Sequence, residues 1–168
     1  MKTPVRDQVN NLSTEAYFDL MAALMKDNPP TEADRPIVDK MAKLGIVPGG
    51  KFDIDKLGSD IAAALQSVPK EGVEKILARF KELDDINGWR FTTQTGQYGT
   101  DYLQRAMITY VGLGANRPQD AIYPTSEADT DGKAYDAGNK YTVHFDNDQF
   151  PPVNGFWSLT MYDEGYFF

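Results

Sequence analysis

Apolar residues in the first half of the chain are spaced as in amphipathic helices. The stretch "LSTEAYFDLMAALMKDNPP" places four of them on one helical face: Phe18, Met21, Leu24 and Met25. Ser13 or Thr14 is the candidate N-cap, and the paired prolines at the end of the stretch forbid continuation. The pattern therefore predicts a helix that begins near Ser13 and stops before Pro29.

Two more helical segments follow with similar signals. In "TEADRPIVDKMAKLGIVPGG" we expect Thr31 to cap the helix and Gly45 to end it, around an apolar stripe of Ile37, Met41 and Leu44. A longer helical stretch is predicted from about Asp53 to Asp85, with a break near Pro69. Its second part has an apolar side made of Ile76, Leu77, Phe80 and Leu83. These stripes predict core packing rather than a ligand site.

After "DINGW" the spacing of apolar residues changes from the period of a helix to the alternation of a strand. The run "GWRFTTQTGQYGT" alternates and predicts a hairpin with Gly96 in its turn, whereas "DYLQRAMITYVGLGAN" returns to a helix. The predicted apolar face of that helix is Leu103, Met107, Tyr110 and Val111. Three strand candidates follow: "DAIYPTSEAD", "KYTVHF" and "GFWSLTMYD". The order of elements predicts an α+β fold, with an N-terminal helical segment followed by an antiparallel β-sheet or sandwich unit.

The distribution of aromatic residues supports a division after Gly88. Only Tyr17, Phe18, Phe52 and Phe80 precede it, although the chain holds 2 Trp, 9 Tyr and 9 Phe. Aromatic residues favour strands, so the aromatic-rich half is the β-prone half. We therefore predict a helical region at residues 1–88 and a β-rich region that begins at residue 89.

Composition and charge exclude several classes of protein. The formal net charge of −8 argues against a nucleic-acid partner, because phosphate backbones need a basic face. No apolar run reaches the roughly 18 residues that a membrane span needs. The start "MKTPVRDQVNNLSTEAYF" has no apolar core, so no signal peptide is encoded there. The absence of cysteine removes disulfides and thiol chemistry but leaves the compartment open.

Two glycine-containing motifs resemble ligand loops, and both have simpler interpretations. "EADTDG" matches the first positions of a calcium loop, but Gly138 stands where a bidentate Glu is required, so we expect a hairpin turn and no metal. "GLGAN" resembles a phosphate loop, yet it ends a helix instead of opening one. We expect a helix C-terminus there, and the sequence predicts no cofactor.

His144 is the only histidine in the chain. A Ser-His-Asp triad would have to use it, with Ser158 and Asp163 as the partners nearest in sequence. Ser158 lacks the G-x-S-x-G context of a nucleophile elbow. A histidine on the polar face of a strand is the favoured interpretation, and no catalytic residue is assigned.

The stretch "YGTDYLQRA" contains the best candidates for ligand binding. Asp101 and Arg105 lie four positions apart on a helix and could simply pair. Alternatively, Tyr98 and Tyr102 could flank Arg105 at a pocket, where a guanidinium would hold a carboxylate or another anion. His144, Trp157 and Tyr162 complete the candidate site, although Trp157 and Tyr162 are also expected among core aromatics.

The last predicted strand is apolar on both faces. Phe156, Ser158, Thr160 and Tyr162 alternate with Trp157, Leu159 and Met161. Such a strand is expected in the middle of a sheet, and an open apolar edge invites pairing. We therefore expect the sheet to be incomplete, with missing flanking segments of a parent protein or a second copy supplying strands. The alternative is that "EGYFF" folds back over the strand as a plug.

Several stretches resemble bacterial proteins that pair two domains of unknown function, numbered 1254 and 1214. They are "LMKDNPP", "LGIVPGGKFD", "NGWRF", "GQYGTDYLQRA", "GLGANRPQDAIYP", "DTDGKAYDAGNKYTVHF" and "PPVNGFWSLTMYDEGYFF". The resemblance implies that the 1254 domain would precede Met1, that residues 1–88 are the helical connector, and that residues 89–168 are the first part of a β-rich 1214 domain. It implies no established activity. Full-length members resemble periplasmic or secreted β-rich proteins, and the compartment of this chain is otherwise expected to be cytoplasmic.

Two functional hypotheses follow. The first is a structural or small-ligand-binding module with an aromatic-lined β unit, whose ligand would be a small anionic or organic molecule. The second is part of a hydrolase or lyase that acts on a small organic substrate. Clustering of Tyr98, Arg105, His144 and Tyr162 in a cleft would favour the enzyme, whereas their dispersal would favour the module.

Overall fold

The computed structural model describes residues 3–163. These residues form an α+β fold, as predicted, whose helices lie mostly in the N-terminal part of the chain. The five α-helices are α1 Val5–Asn10, α2 Thr14–Asp27, α3 Arg35–Ala42, α4 Ser59–Lys81 and α5 Tyr102–Gly112. Short 3₁₀ turns cover Glu32–Asp34 and Ile54–Lys56, and one small antiparallel sheet pairs β1 Asp85–Ile86 with β2 Trp89–Arg90.

The chain divides into two compact units between Glu127 and Ala128. The first unit contains all five helices and the small sheet. This division differs from the predicted boundary between a connector at residues 1–88 and a family domain at residues 89–168. That predicted boundary stays a prediction.

Local capping signals set the ends of the first helices as the sequence predicted. Ser13 is the N-cap of α2, where its hydroxyl accepts a hydrogen bond from the Ala16 N–H at 3.2 Å. Thr31 caps the 3₁₀ turn that leads into α3. Gly45 follows α3 with φ 78°, a left-handed conformation that glycine adopts without strain. The short helix α1 was not predicted.

The main core lies between α2, α4 and the connection that follows α3. Phe18, Ile46, Phe52 and Leu65 are buried there, and Met21, Met25, Met41 and Leu44 pack around them. The loop that carries Phe52 is fastened to α2, because the Phe52 N–H donates to Asp19 Oδ1 at 2.6 Å. The prediction that Leu24 belongs to this face was wrong, since Leu24 is 54% exposed and Ala22 is buried instead.

Helix α4 continues through Pro69, which corrects the predicted break. Proline lacks the N–H that would bond to the carbonyl four residues earlier, and that carbonyl belongs to Leu65. Here the buried hydroxyl of Thr14 donates to the Leu65 carbonyl at 3.4 Å. A partner from α2 therefore replaces the hydrogen bond that α4 loses.

Helix α5 packs against α4 with a face that includes the predicted Met107 but not the predicted Leu103. Gln104, Met107 and Ile108 are buried, whereas Leu103 is exposed. Gln104 is 1% exposed and its amide is fully used: Oε1 accepts from Arg79 Nε at 3.2 Å, and Nε2 donates to the Gln94 carbonyl at 3.0 Å. A polar residue thus joins α4, α5 and the loop before α5.

The hairpin lies earlier than the sequence prediction placed it. Asn87 and Gly88 form its turn with φ 54° and 79°, and Ile86 pairs with Trp89. Two successive positive φ values match the right-handed twist of paired strands, which favours this turn over one at Gly96. Arg90 also exchanges backbone hydrogen bonds with Thr125 at 2.7 and 2.8 Å, which form an isolated antiparallel bridge.

The described residues of the second unit form hydrogen-bonded turns, at "DTDG", Asp136–Asn139 and Asp146–Gln149, joined by irregular segments. The "DTDG" turn is closed by an antiparallel bridge between Ala128 and Ala134, with Gly132 at φ 77°, as the hairpin interpretation predicted. No β-strand is assigned to the predicted segments "KYTVHF" and "GFWSLTMYD" in the described part of the chain. An alternating pattern favours an extended strand, but a β-sheet also needs a neighbouring strand that forms hydrogen bonds with it. The predicted plug at residues 164–168 lies outside the described residues.

Candidate functional site

The N-terminal end of α5 holds three of the six candidate binding residues: Tyr98, Tyr102 and Arg105. Asp101 caps the helix, and its carboxylate accepts the Gln104 N–H at 3.0 Å. The phenol oxygen of Tyr98 accepts the Gly96 N–H at 3.0 Å, which closes the loop before the helix. The capping bond occupies Asp101, and among residues 3–163 it forms no ion pair with Arg105.

Tyr102 is tied to Asp34, at the junction of the first 3₁₀ turn and α3. The Tyr102 hydroxyl donates to Asp34 Oδ1 at 3.0 Å, across 68 residues of sequence. The other oxygen, Oδ2, accepts from the Thr31 hydroxyl at 2.8 Å and from the Thr31 N–H at 3.0 Å. Both oxygens of this buried carboxylate are therefore engaged within the fold.

The electrostatics of this contact follow from its hydrogen bonds. The Thr31 hydroxyl, followed by the Thr31 N–H and the Tyr102 phenol, stabilises the charged carboxylate and lowers the pKa of Asp34 below its ordinary value of 3.8. Removal from water, reinforced by the hydrogen bond to Asp34, raises the pKa of Tyr102 above its ordinary value of 10.0. At neutral pH the pair is a carboxylate that accepts from a neutral phenol, so it does not supply a base poised for catalysis.

Arg105 stacks on Tyr102 and remains exposed. Its guanidinium carbon lies 5.0 Å from the centre of the Tyr102 ring, within the range of a cation–π contact. The positive charge also contributes to the lowered pKa of Asp34. Tyr102 and Arg105 thus lie at a helix junction with an exposed cation on its surface, and a pocket mouth formed with Tyr98 stays a prediction.

The other three candidates, His144, Trp157 and Tyr162, belong to the second unit. The His144 side chain is 81% exposed, and its Nε2 lies 3.2 Å from Asp146 Oδ1. The carboxylate that pairs with the imidazole is thus Asp146 rather than the Asp163 of the hypothetical triad. Tyr162 is 55% exposed.

Aromatic rings form a small cluster beside His144. The Phe145 ring lies 6.0 Å from that of Phe150 and 5.4 Å from that of Trp157, measured between ring centres. Phe150 and Trp157 remain about half exposed. We call Phe145, Phe150 and Trp157 the aromatic cluster. Of these residues, sequence reasoning proposed only Trp157.

Sequence reasoning missed Asp34, Phe145 and Phe150 as partners of the candidate residues. The signal for Asp34 was present, because Thr31 and Asp34 have the spacing of a capping box. No comparable signal marked Phe145 and Phe150. Their contact depends on how the segment between them folds back, which alternation alone does not specify.

A shallow groove of about 780 Å³ runs between the start of α2 and the middle of α4. Ser13, Glu15, Gln66, Pro69 and Lys70 contribute to its lining. Lys70 pairs with Glu74 at 4.0 Å along α4. None of the six candidate residues lines this groove, so it is separate from both sites described above.

Two further findings concern residues 3–163. No three His, Asp or Glu side chains converge there in a way that could hold a metal ion. In the same residues no helix is both long and apolar enough to cross a bilayer.

Comparison with known families gives one match. Residues 120–168 match the model of a family described as a protein of unknown function, DUF1214. This supports the resemblance to the 1214 domain, whereas the pairing with a 1254 domain stays a prediction. No curated protein and no solved structure matches the chain.

Proposed function

We propose that this chain is a non-catalytic module of a larger bacterial protein and that its aromatic cluster binds a small organic molecule. The supporting observation is the contact of Phe145 with Phe150 and Trp157, which leaves about half of the latter two rings in water. Flat apolar molecules gain from stacking on such rings. The match of residues 120–168 to a family without an assigned activity agrees with an uncharacterised module.

The polar candidates support a module rather than an enzyme. The Tyr102 hydroxyl donates a hydrogen bond to the Asp34 carboxylate at the junction of two helical elements. His144 has one carboxylate partner and is open to solvent. A hydrolase or lyase would need an acid, a base or a nucleophile converging around one position. We propose that these groups hold the fold together or lie on its surface.

Calorimetric titration tests ligand binding. Benzyl alcohol serves as a neutral aromatic probe and benzoate as an anionic one, and we expect weak binding with a Kd of about 1 mM, which corresponds to about −4 kcal/mol. Trp157→Leu should abolish the heat of probe binding, whereas the matched variant Trp89→Phe should retain it. Binding of benzoate that survives Trp157→Leu but is lost in Arg105→Gln would move the site to α5 and contradict the proposal.

Hydrolysis of p-nitrophenyl acetate tests the non-catalytic assignment. We expect the chain to cleave this ester no faster than an equal concentration of free imidazole, since the His144 side chain is 81% exposed and no nucleophile is assigned to it. A larger rate that disappears in both His144→Gln and Ser158→Ala would identify a triad. That result would replace the module by the enzyme.

A further inference from the structure

Two rings of the aromatic cluster are joined by a short polar turn that carries two carboxylates. Between Phe145 and Phe150 lie four exposed residues: Asp146, Asn147, Asp148 and Gln149. The Gln149 N–H donates to the Asp146 carbonyl at 3.0 Å, which closes the turn. The two rings stack on each other, with 6.0 Å between their centres and 27° between their planes. We call residues 146–149 the carboxylate turn, and its negative charges lie next to stacked rings.

The fixed charges around the aromatic cluster are negative. No lysine or arginine occurs from Phe145 to Phe168, and residues 128–163 contain six aspartates but only two lysines. The Asp146 carboxylate lies 3.2 Å from His144 Nε2. The Asp148 side chain forms no hydrogen bond or ion pair with any residue from 3 to 163. A positive charge is therefore the group that would complement this surface.

The rings of the aromatic cluster favour a cation for a second reason. The face of an aromatic ring carries the negative part of its quadrupole and attracts positive groups. Phe150 is 56% exposed and Trp157 is 47% exposed, so both rings are open to a molecule in solution. Among residues 3–163, no arginine or lysine of the chain lies over either ring. The carboxylates and the rings thus favour the same sign of charge.

We propose that the aromatic cluster and the carboxylate turn together bind a small organic cation, an ammonium group carried on an apolar body. The proposal rests on the proposed function, in which the cluster binds an organic molecule, and adds positive charge as the property that selects the ligand. The apolar body contacts the exposed rings and the ammonium group faces the carboxylates. An apolar segment of a parent protein would cover the rings but leave Asp148 without a positive partner, which costs free energy. Charge complementarity therefore favours the cation.

Three probes with the same ring and different charges test this selection in the full chain. Benzylammonium carries a positive charge, benzyl alcohol is neutral and benzoate carries a negative charge. We expect benzylammonium to bind about fivefold more tightly than benzyl alcohol, and benzoate to bind more weakly than either. Nuclear magnetic resonance titration of the indole N–H signals measures binding, and Trp89→Phe identifies the signal of Trp157, since the chain holds 2 Trp. Added potassium chloride should reduce the preference, because salt screens exposed charges.

Two variants change the charge of the carboxylate turn and keep all three rings. Asp148→Asn removes one negative charge with little change in shape, and Asn147→Asp adds one at the neighbouring position. The ratio of benzylammonium affinity to benzyl alcohol affinity should fall about twofold in the first variant and rise about twofold in the second. Opposite changes in this ratio separate an effect of charge from a general disturbance of the turn.

The outcomes distinguish this inference from the proposed function. Benzyl alcohol that binds as tightly as benzylammonium would overturn the selection of a cation and leave ligand binding by the aromatic cluster intact. A Trp157 signal that responds to none of the three probes would overturn both proposals. A preference for benzylammonium that is the same in the parent chain, Asp148→Asn and Asn147→Asp would contradict the role of the carboxylate turn.

Discussion

The hydroxyl of Thr14 donates a hydrogen bond to the carbonyl of Leu65, four residues before Pro69 in the same helix as Leu65. The contact joins the first turn of α2 to the one position in α4 where proline removes the usual donor. Because Thr14 and Leu65 are both buried, water cannot replace this partner freely. The proline is tolerated through Thr14, a residue 51 positions before Leu65 in the sequence.

We predict that Thr14→Val lowers the free energy of unfolding by about 1 kcal/mol, because a buried carbonyl loses its hydrogen-bond partner. The loss should shrink to less than half in a Pro69→Ala background, where the backbone N–H gained at position 69 supplies the helical bond again. Urea denaturation followed by circular dichroism of the four proteins measures the coupling. Thr109→Val is the control, since the exposed Thr109 hydroxyl donates within α5 to the Arg105 carbonyl, and its removal should have little effect.

Gln104→Leu is expected to lower the free energy of unfolding by about 2–3 kcal/mol, because it leaves the Arg79 Nε–H and the Gln94 carbonyl without their partner. Guanidinium denaturation measures the change. Gln66→Leu, an exposed substitution on α4, should alter stability by less than about 0.5 kcal/mol. Equal effects of the two variants would contradict a role for the Gln104 hydrogen bonds.

The stability of the contact between Asp34 and Tyr102 should depend on pH. The pKa of Asp34 is lowered in the folded chain, so its contribution is fully present above its ordinary value of 3.8 and is lost as pH falls through the lower folded value. The difference in thermal midpoint between the parent chain and Asp34→Asn should therefore be largest at pH 5 to 7, and it should be nearly constant within that range. The difference should narrow below about pH 4.

Tyr102→Phe provides the control for this pH dependence. It removes one of the three hydrogen bonds to Asp34 and leaves both bonds from Thr31. The gap from the parent chain should thus be smaller than that of Asp34→Asn at the same pH. A gap for Asp34→Asn that stays constant from pH 7 to pH 2 would show that the carboxylate does not contribute through its charge.

Alanine substitutions at Gly88 and Gly72 should change stability in opposite directions. A methyl group added at either α-carbon would meet no atom within 4 Å, so packing does not decide the result. Gly88 has φ 79°, and alanine there should cost about 1–2 kcal/mol of backbone strain. Gly72 lies inside α4, where alanine should stabilise by about 0.5–1 kcal/mol. Urea denaturation of both variants against the parent chain measures the two signs.

Local chemistry explains what could be predicted from the sequence. Ser13, Thr31 and Gly45 act on their own helix ends, so their capping roles were readable from neighbouring residues. The continuity of α4 was not readable, because the donor that compensates Pro69 comes from another helix. The Asn87–Gly88 turn had a local signal that was overlooked in favour of Gly96.

Burial and site geometry depended on tertiary contacts. The position of a helix against its neighbour decided that Gln104 and Ile108 are buried on α5 while Leu103 is exposed. Apolar and polar residues do alternate at 142–146, and residues 156–162 alternate between two faces, but alternation does not specify which strand would pair with these segments. For the candidate site, the grouping of Tyr102 and Arg105 followed from helical spacing, whereas their link to Asp34 required the fold.

The four residues at the centre of the main core, from Phe18 to Leu65, all lie within the first 65 positions. During synthesis this nucleus is complete soon after Leu65 leaves the ribosome, and the long apolar run near Trp157 is made about ninety residues later, roughly 5–20 seconds afterwards at ordinary elongation rates. The helical core can thus be folded before the apolar segment around Trp157 leaves the ribosome.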